Sequence, residues 1–273
     1  MRLVLFLIPL WLSSAGCSSQ EDYARNAGIK DDPRALVTAP PAQPAELTDS
    51  DTRGDWKRSF EYRWPAAVSA QPELVKLLAA ERDKTLAQEK SEWAAAVKDS
   101  PADCVSCGQR SFAMDWKVVA DTPGFLSLSG DVSTYTGGAH GMYGLRSLVW
   151  DKQAKRALDG AALFRSPEAL DAALGNSLCA ALNAERAKRR GEPVRVMVEG
   201  ENDFGFDSCQ YTKDATVLLG SSNGQAFDRI GIWFGPYVAG SYAEGAYELN
   251  FPVNAAVLKA VKPEYLRAFA AKR

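Results

Sequence analysis

Apolar and polar residues alternate in several short segments, a pattern typical of strands that bury one face. In "RSFEYRW" the alternation places Phe60, Tyr62 and Trp64 on one side. "FAMDWKVVADT" and "GFLSLSGDVSTYT" predict two strands joined through a Pro-Gly turn, and "GLRSLVWD" and "AYELNFP" predict two more. "ATVLLGSSNGQAFDRIGIWF" predicts a hairpin with Asn223 and Gly224 in its turn.

A second set of segments repeats apolar residues at the spacing of a helix. Residues 71–97 predict a long helix with Pro72 in its first turn. "SPEALDAALGNSLCAALNAERAKRRG" predicts one helix that begins after a Ser166 cap and ends at Gly191. The "KRR" of its last turn is expected to be solvated and to complement the helix dipole. "NAAVLKAV" and "PEYLRAFA" predict two short helices near the end of the chain.

Most predicted strands follow one another through turns rather than through helices. This order predicts an α+β fold class, with antiparallel sheets packed against a few helices. Residues 56–136 are expected to form an N-terminal α/β segment and residues 137–273 a C-terminal domain packed with it as one unit. Residues 17–55 are rich in proline, alanine and acidic residues without a period, and they predict a disordered tether.

The first residues predict export. "LVLFLIPLWL" is too short to cross a bilayer and is typical of a signal-peptide core. Small residues and Cys17 follow, as in a bacterial lipobox, so residues 1–16 are interpreted as a signal peptide and Cys17 as the lipidated residue. The alternative is a plain secretory signal. A lipid-anchored, periplasm-facing protein of the bacterial envelope is expected, in the outer membrane of a two-membraned host because Ser18 follows the cysteine.

Charge narrows the classes of partner. The 273 residues include 32 basic and 34 acidic side chains, a net charge of −2, so no basic excess indicates nucleic acid. No second apolar run approaches the length of a spanning helix, so membrane contact is expected through the lipid only.

Cysteine usage agrees with an oxidising compartment. Lipidation of Cys17 leaves four cysteines, which allow three pairings. We favour Cys104–Cys107 with Cys179–Cys209, because the first two are only three residues apart. The "CVSC" spacing also fits a redox pair, but such pairs normally open a helix after a strand, so a structural clip is preferred.

The only histidine, His140, lies in "STYTGGAHG". Proton transfer, ligand contact and a structural turn are all compatible with it, and the turn is preferred because Gly137 and Gly138 adopt positive φ at little cost. With one histidine and paired cysteines, no metal site and no cofactor are expected. Asp203 and Asp207 are the best local carboxylate pair for an alternative glycan-hydrolase function.

Several motifs together resemble a known family. "YTGGAHG" followed by a strand and "ALDGAALF", and later "FGPYVAGSYAEGAYELNFP", resemble the RsiV-like domain of bacterial envelope proteins. "FEYRWP" and "FLSLSGDVSTYTGGAH" resemble the small α/β segment that precedes this domain, so the resemblance covers roughly residues 56–270. The family pattern emphasises Phe164, Pro236, Tyr237, Gly240 and Pro252.

The resemblance implies a binding function. The family occurs in the outer part of anti-sigma factors that bind lysozyme and beside the catalytic domain of some peptidoglycan deacetylases. It implies an α+β binding fold without catalytic residues, and the chain lacks the Asp/His metal set of a deacetylase. The expected partner is a lysozyme-like muramidase or peptidoglycan; the alternative is a cell-wall glycan hydrolase or its accessory subunit. The candidate binding loop comprises Tyr135, Gly137, Gly138, His140, Tyr237 and Tyr242.

Overall fold

Six strands form the first of two sheets. The computed structural model describes residues 42–101, 103–195 and 206–272. The strands follow the chain order across the sheet, and all neighbours are antiparallel except β2 and β3, which are parallel. A parallel pair needs a crossover, and a long helix supplies it. The strands are β1 (Ala45–Arg53), β2 (Trp56–Trp64), β3 (Arg110–Asp121), β4 (Phe125–Tyr135), β5 (Met142–Asp151) and β6 (Arg156–Leu158).

The first strand corrects one sequence prediction. Residues 17–55 were expected to be a tether, but β1 pairs with β2 along its whole length, from Ala45 opposite Trp64 to Arg53 opposite Trp56. The strand reads "AELTDSDTR", with only Ala45 and Leu47 apolar. An edge strand of this kind is held mainly by its backbone hydrogen bonds, so its side chains need not alternate as those of a buried strand do.

The two faces of the first sheet have different covers. The face that carries Phe60, Tyr62 and Trp64, here called the helix face, packs against α1 (Ala66–Ser69) and α2 (Pro72–Asp99). The alternation predicted in "RSFEYRW" is confirmed, because all three aromatic residues are buried. The opposite face carries Ser59 and Glu61 and is called the far face.

Polar contacts fix α2 on the helix face. Arg146 of β5 donates two hydrogen bonds to the carboxylate of Glu81, at 2.5 and 2.9 Å. Tyr62 donates to the same carboxylate at 3.0 Å and accepts from the indole N–H of Trp116. Burial alone would raise the pKa of Glu81, but the bonds from Arg146 and Tyr62 lower it. The carboxylate therefore stays ionised and ties the helix to the sheet.

The C-terminal half forms the second sheet and a second core. Antiparallel β7, β8 and β9 bury their inner face against α3, α4 and α5, and β7 lies against β3, β4 and β5 on the far face. The hydroxyl of Thr216 donates to the carbonyl of Leu145 at 2.8 Å at this junction. The elements are α3 (Pro167–Leu174), α4 (Asn176–Arg190), β7 (Thr216–Gly220), β8 (Arg229–Phe234), β9 (Tyr247–Pro252) and α5 (Ala255–Ala260).

The helix predicted from Ser166 to Gly191 is two helices. Gly175 has φ 55° and ψ −144°, outside the helical region, and it separates α3 from α4. The predicted cap is confirmed, since the hydroxyl of Ser166 accepts from the N–H of Ala169. The predicted end is also confirmed, since Gly191 adopts a left-handed conformation with φ 74°. The break allows two helices to cover one curved core.

The α+β fold class is confirmed by two largely antiparallel sheets with helices packed on them. The predicted division between residues 136 and 137 falls in the turn between β4 and β5, which pair from Phe125–Asp151 to Thr134–Met142. Residues Ala42–Arg273 form one compact unit.

Both predicted disulfide pairs are present. Cys104 and Cys107 have Cα atoms 5.4 Å apart, and Cys179 and Cys209 have Cα atoms 5.2 Å apart. Both separations are normal for disulfides. The first disulfide closes a short 3-10 turn, and the second joins α4 to the segment that precedes β7.

Candidate functional site

The glycine-rich turn between β4 and β5 is set by its backbone conformation. Gly137 and Gly138 have φ values of +90° and +93°, so the predicted positive φ is confirmed at both positions. A Cβ atom at Gly137 would lie 2.8 Å from the carbonyl oxygen of Ser106, inside the disulfide-closed turn. The hydroxyl of Tyr135 donates to the carbonyl of Gly138 at 2.8 Å. Glycine is therefore required here for both conformation and close approach.

Four aromatic side chains meet beside this turn, and we call them the aromatic cluster: His140, Tyr143, Tyr237 and Tyr242. Tyr242 is central, because its ring centroid lies 4.1 Å from that of His140, 5.6 Å from that of Tyr237 and 6.0 Å from that of Tyr143. Tyr143 is 39% exposed and Tyr237 is 50% exposed. The cluster is a surface platform of stacked and tilted rings, not part of a core.

The polar edges of the rings bind backbone groups. The hydroxyl of Tyr242 donates to the carbonyl of Gly141 at 2.8 Å, and the hydroxyl of Tyr143 accepts from the N–H of Ala246 at 3.0 Å. Nδ1 of His140 also lies 2.9 Å from the carbonyl of Gly141. Because a carbonyl only accepts, Nδ1 carries the proton, and Nε2 is the acceptor of the neutral ring. These bonds fix the orientation of the rings of His140, Tyr143 and Tyr242.

Tyr237 has an unusual backbone conformation. Its φ is +67°, one of two positive values among the described residues other than glycine. A bulky residue in the left-handed region costs free energy, and such conformations concentrate at binding and catalytic sites. Burial of the ring does not offset this cost, because half of Tyr237 is exposed.

The loop that carries Tyr237 and Tyr242 is held by arginines of α4. The guanidinium of Arg186 is buried and donates to the carbonyl of Ala239 at 2.9 Å. Arg189 donates to the carbonyls of Glu244 and Ala246 at 2.8 and 2.7 Å. Arg190 donates to the carboxylate of Glu244 at 2.9 Å. The prediction of a fully solvated "KRR" end is therefore wrong for Arg189 and Arg190, because the adjacent loop offers them acceptors.

Glu244 is the acidic centre of this support. It accepts from Arg190, from the hydroxyl of Tyr247 and from the N–H of Ser241. Burial alone would raise the pKa of Glu244, but these bonds outweigh it and lower the pKa to about 2. Burial and the adjacent carboxylate raise the pKa of Tyr247 to about 12. Near neutral pH Glu244 therefore stays ionised, in an ion pair with Arg190, and Tyr247 stays protonated and neutral.

The candidate residues from the sequence separate into two groups. His140, Tyr237 and Tyr242 come together in the aromatic cluster, whereas Tyr135, Gly137 and Gly138 shape the turn beside it. Tyr143 was missed, although its place in the strand directly after the glycine-rich turn is a signal that was available. The arginines of α4 were missed because only the tertiary fold brings the loop to them.

Only one of the two carboxylates considered for glycan hydrolysis lies within the described residues. Asp203 lies outside the described residues. Asp207 accepts from Arg190 at 2.6 Å, so its contact is that of an ion pair. No three His, Cys, Asp or Glu side chains lie close enough to hold a metal ion within the described ranges. None of the helices in this part of the chain has the length and apolarity needed to cross a membrane.

Comparison with known proteins matches part of the chain. Residues 57–143 match the sequence model of a family described as deacetylase PdaC. This segment runs from β2 to the beginning of β5 and includes the glycine-rich turn. No curated protein matches the chain.

Solved structures that are similar to most of this chain include two members of one family. One is a DUF3298 family protein from Pseudomonas aeruginosa, with 16% identity and a TM-score of 0.46, covering 85% of this chain and 99% of that one. The other is a DUF3298 family member from Bacteroides fragilis, with 15% identity and a TM-score of 0.44, covering 77% of this chain and 90% of that one.

Proposed function

We propose that this protein is a non-catalytic, lipid-anchored protein of the bacterial cell envelope whose folded part binds the glycan of the cell wall. The observation that carries the proposal is the aromatic cluster. His140, Tyr143 and Tyr237 are exposed and Tyr242 is partly buried. Hydrogen bonds to the backbone hold the polar edges of His140, Tyr143 and Tyr242. The apolar C–H face of a pyranose ring packs on such a surface, while its hydroxyl groups reach the polar groups around it.

The carboxyl groups around the aromatic cluster fit a binding role better than a catalytic one. Glycoside hydrolysis needs a proton donor, usually a carboxyl group whose pKa is raised by its surroundings. Among the described residues, the carboxyl groups with shifted pKa values are all shifted downward, and Glu244, near the cluster, has a pKa of about 2. A preorganised aromatic surface needs no such group, and its rigidity lowers the entropic cost of binding.

The anchor is proposed from the sequence. Cys17 lies outside the described residues, and its lipidation is inferred from the lipobox-like segment. Replacement of Cys17 by alanine should move the protein from the detergent-extracted membrane fraction to the soluble fraction. Unchanged partition into detergent would contradict the anchor without touching the proposal for the aromatic cluster.

The binding proposal is tested with the mature chain carrying Cys17→Ser, on purified peptidoglycan sacculi and on a lysozyme-type muramidase. Tyr242→Ala should weaken glycan binding by about tenfold or more, because it removes the ring that contacts the other three. Tyr211→Ala is the matched control, since Tyr211 is 53% exposed and lies outside the cluster.

Three results would contradict the proposal. Binding to the muramidase without binding to sacculi would change the class of ligand. Release of soluble sugar from sacculi, lost in Tyr242→Ala, would favour the hydrolase alternative. Equal loss of glycan binding in Tyr211→Ala and Tyr242→Ala would remove the aromatic cluster from the binding surface.

A further inference from the structure

A row of residues crosses the far face and ends at the aromatic cluster. In register, Thr48 of β1 lies opposite Glu61, Glu61 opposite Ala113, Ala113 opposite Ser133, and Ser133 opposite Tyr143 of β5. Directly opposed residues project from the same face of a sheet. With neighbouring strands about 4.8 Å apart, the row spans about 19 Å. It therefore joins the aromatic cluster to the edge strand on the other side of the sheet.

The floor along this row is shallow and rich in hydroxyl groups. A second row runs beside it through Ser50, Ser59 and Ser111. Together the two rows line an open cavity of about 470 Å³ over β1, β2 and β3. The surface that these two rows form is called the trough, and its residues are Thr48, Ser50, Ser59, Glu61, Ser111, Ala113 and Ser133. Short side chains on a twisted sheet leave room for a ligand, and their hydroxyl groups donate and accept hydrogen bonds.

The charged side chains in and beside the trough are paired with one another. Arg63 lies 2.9 Å from the carboxylate of Glu61. Lys117 lies 2.6 Å from the carboxylate of Asp131 and 3.5 Å from that of Asp115. These five groups sum to a net charge of −1, so the surface has no excess of positive charge for an anionic ligand and suits a neutral polar one.

One side of the far face is bounded by the second sheet. Asp131 and Leu145 of the first sheet, with Trp233 and Glu248 of the second, line a further cavity of about 190 Å³. Leu145 is two residues from Tyr143, so both side chains lie on the same face of β5. The indole ring of Trp233 and the carboxylates of Asp131 and Glu248 therefore lie on the same side of the sheet as the aromatic cluster.

We propose that the trough binds an extended, neutral sugar chain of several units, which crosses the strands from the aromatic cluster toward β1. This inference rests on the proposed function and specifies its ligand as a chain rather than a single sugar. A protein partner fits this floor less well, because the buried centre of a protein interface is usually apolar and aromatic. The trough offers hydroxyl groups, one alanine and the carboxylate of Glu61 instead.

The test measures how affinity depends on chain length, using chito-oligosaccharides of one to six units as peptide-free analogues of the wall glycan. Calorimetry or NMR titration of the mature Cys17→Ser protein should give a dissociation constant at least about tenfold lower for the hexamer than for the dimer, since about two additional hydrogen bonds suffice for this gain. Ala113→Arg should abolish this gain and leave dimer binding unchanged, because the long side chain fills the floor beyond the cluster.

Two further variants make the test decisive. Thr48→Arg blocks the trough at the exposed edge strand and should weaken the hexamer but not the dimer, even if Ala113→Arg disturbs folding. Ala94→Arg on the exposed side of α2 is the matched control and should change neither affinity.

The outcomes separate this inference from the proposed function. Equal affinity for the dimer and the hexamer in the parent protein would contradict binding of a sugar chain in the trough. Loss of dimer binding in Tyr242→Ala would in that case still support binding at the aromatic cluster. Parent-like hexamer binding in folded Ala113→Arg and Thr48→Arg also overturns the trough. Failure of every oligosaccharide to bind, with retained binding to a muramidase, overturns the proposed function and the trough with it.

Discussion

The helix face and the far face of the first sheet are built from alternate residues of the same strands. On β3, Met114 and Trp116 enter the core beneath α2, whereas Ser111 and Ala113 point to the far face. On β2, buried aromatic residues alternate with Ser59 and Glu61. The helix face is closed by large apolar side chains, and the far face keeps small polar ones where the second sheet does not cover it.

The difference shows how stability and binding are divided between the two faces. Burial of large apolar side chains provides most of the free energy of folding, and it concentrates under α2 and between the second sheet and its helices. Residues on the uncovered part of the far face contribute little to this burial. They are therefore free to be selected for contact with a ligand, and the following changes test that division.

The largest expected effect is on the helix face. Trp116→Ala should lower the free energy of unfolding by about 3–5 kcal/mol, because the ring is 2% exposed and its removal leaves a cavity. Ser111→Ala, on the same strand but the far face, should change it by less than about 0.5 kcal/mol. Urea denaturation followed by tryptophan fluorescence measures both. Similar losses in the two variants would contradict the division between the faces.

The ion pair of Glu244 beside the aromatic cluster should make the stability of the protein depend on pH in the acid range. The pKa of Glu244 is about 2 in the folded protein and 4.5 without the fold, so its contribution is present above about pH 5 and is lost as pH falls toward 2. Glu244→Gln should cost about 2 kcal/mol at pH 7, and the difference should shrink on acidification. Thermal unfolding from pH 7 to pH 2 measures this, with Glu248→Gln as control. A difference independent of pH would exclude the proposed ion-pair effect.

The glycine-rich turn should depend on its backbone conformation. Gly138→Val should cost about 1–3 kcal/mol, because φ at this position is +93°. No atom lies within 4 Å of the added Cβ, so the cost comes from the backbone alone. Gly124→Val is the control, since its Cβ also meets no atom and its φ is not in the left-handed region. Equal thermal stability of Gly138→Val and the parent would contradict a structural role for the turn.

The smallest effect on stability is expected at His140. His140→Ala should change the free energy of unfolding by less than about 0.5 kcal/mol, because the side chain is exposed and its hydrogen bond is local. Glycan binding should nevertheless weaken, since the ring that stacks on Tyr242 is lost. Calorimetric unfolding and binding to sacculi, measured on the same preparation, distinguish the two roles. A large loss of stability would place His140 among the structural residues.

Much of the local structure was predictable from the sequence. The alternation in β2, the Ser166 cap and the left-handed Gly191 follow from short-range rules of packing and hydrogen bonding, and all three are confirmed. β1 and the break at Gly175 were not predicted. An edge strand carries little apolar pattern, and a single glycine does not by itself end a helix whose apolar stripe continues on both sides.

The sequence by itself determined the α+β class and the need for glycine in "YTGGAHG", and it favoured one of three cysteine pairings. Each of these inferences depends on local pattern or on simple counting. The family resemblance grouped Tyr237 and Tyr242 with His140, about a hundred residues earlier in the chain. Only the tertiary structure decided that Tyr242 contacts the rings of His140, Tyr143 and Tyr237. It also decided that arginines at the end of α4 support that cluster and that residues of four strands align into one trough. Contacts of this kind depend on strand register and on the packing of one sheet against another, which periodicity along the chain does not encode.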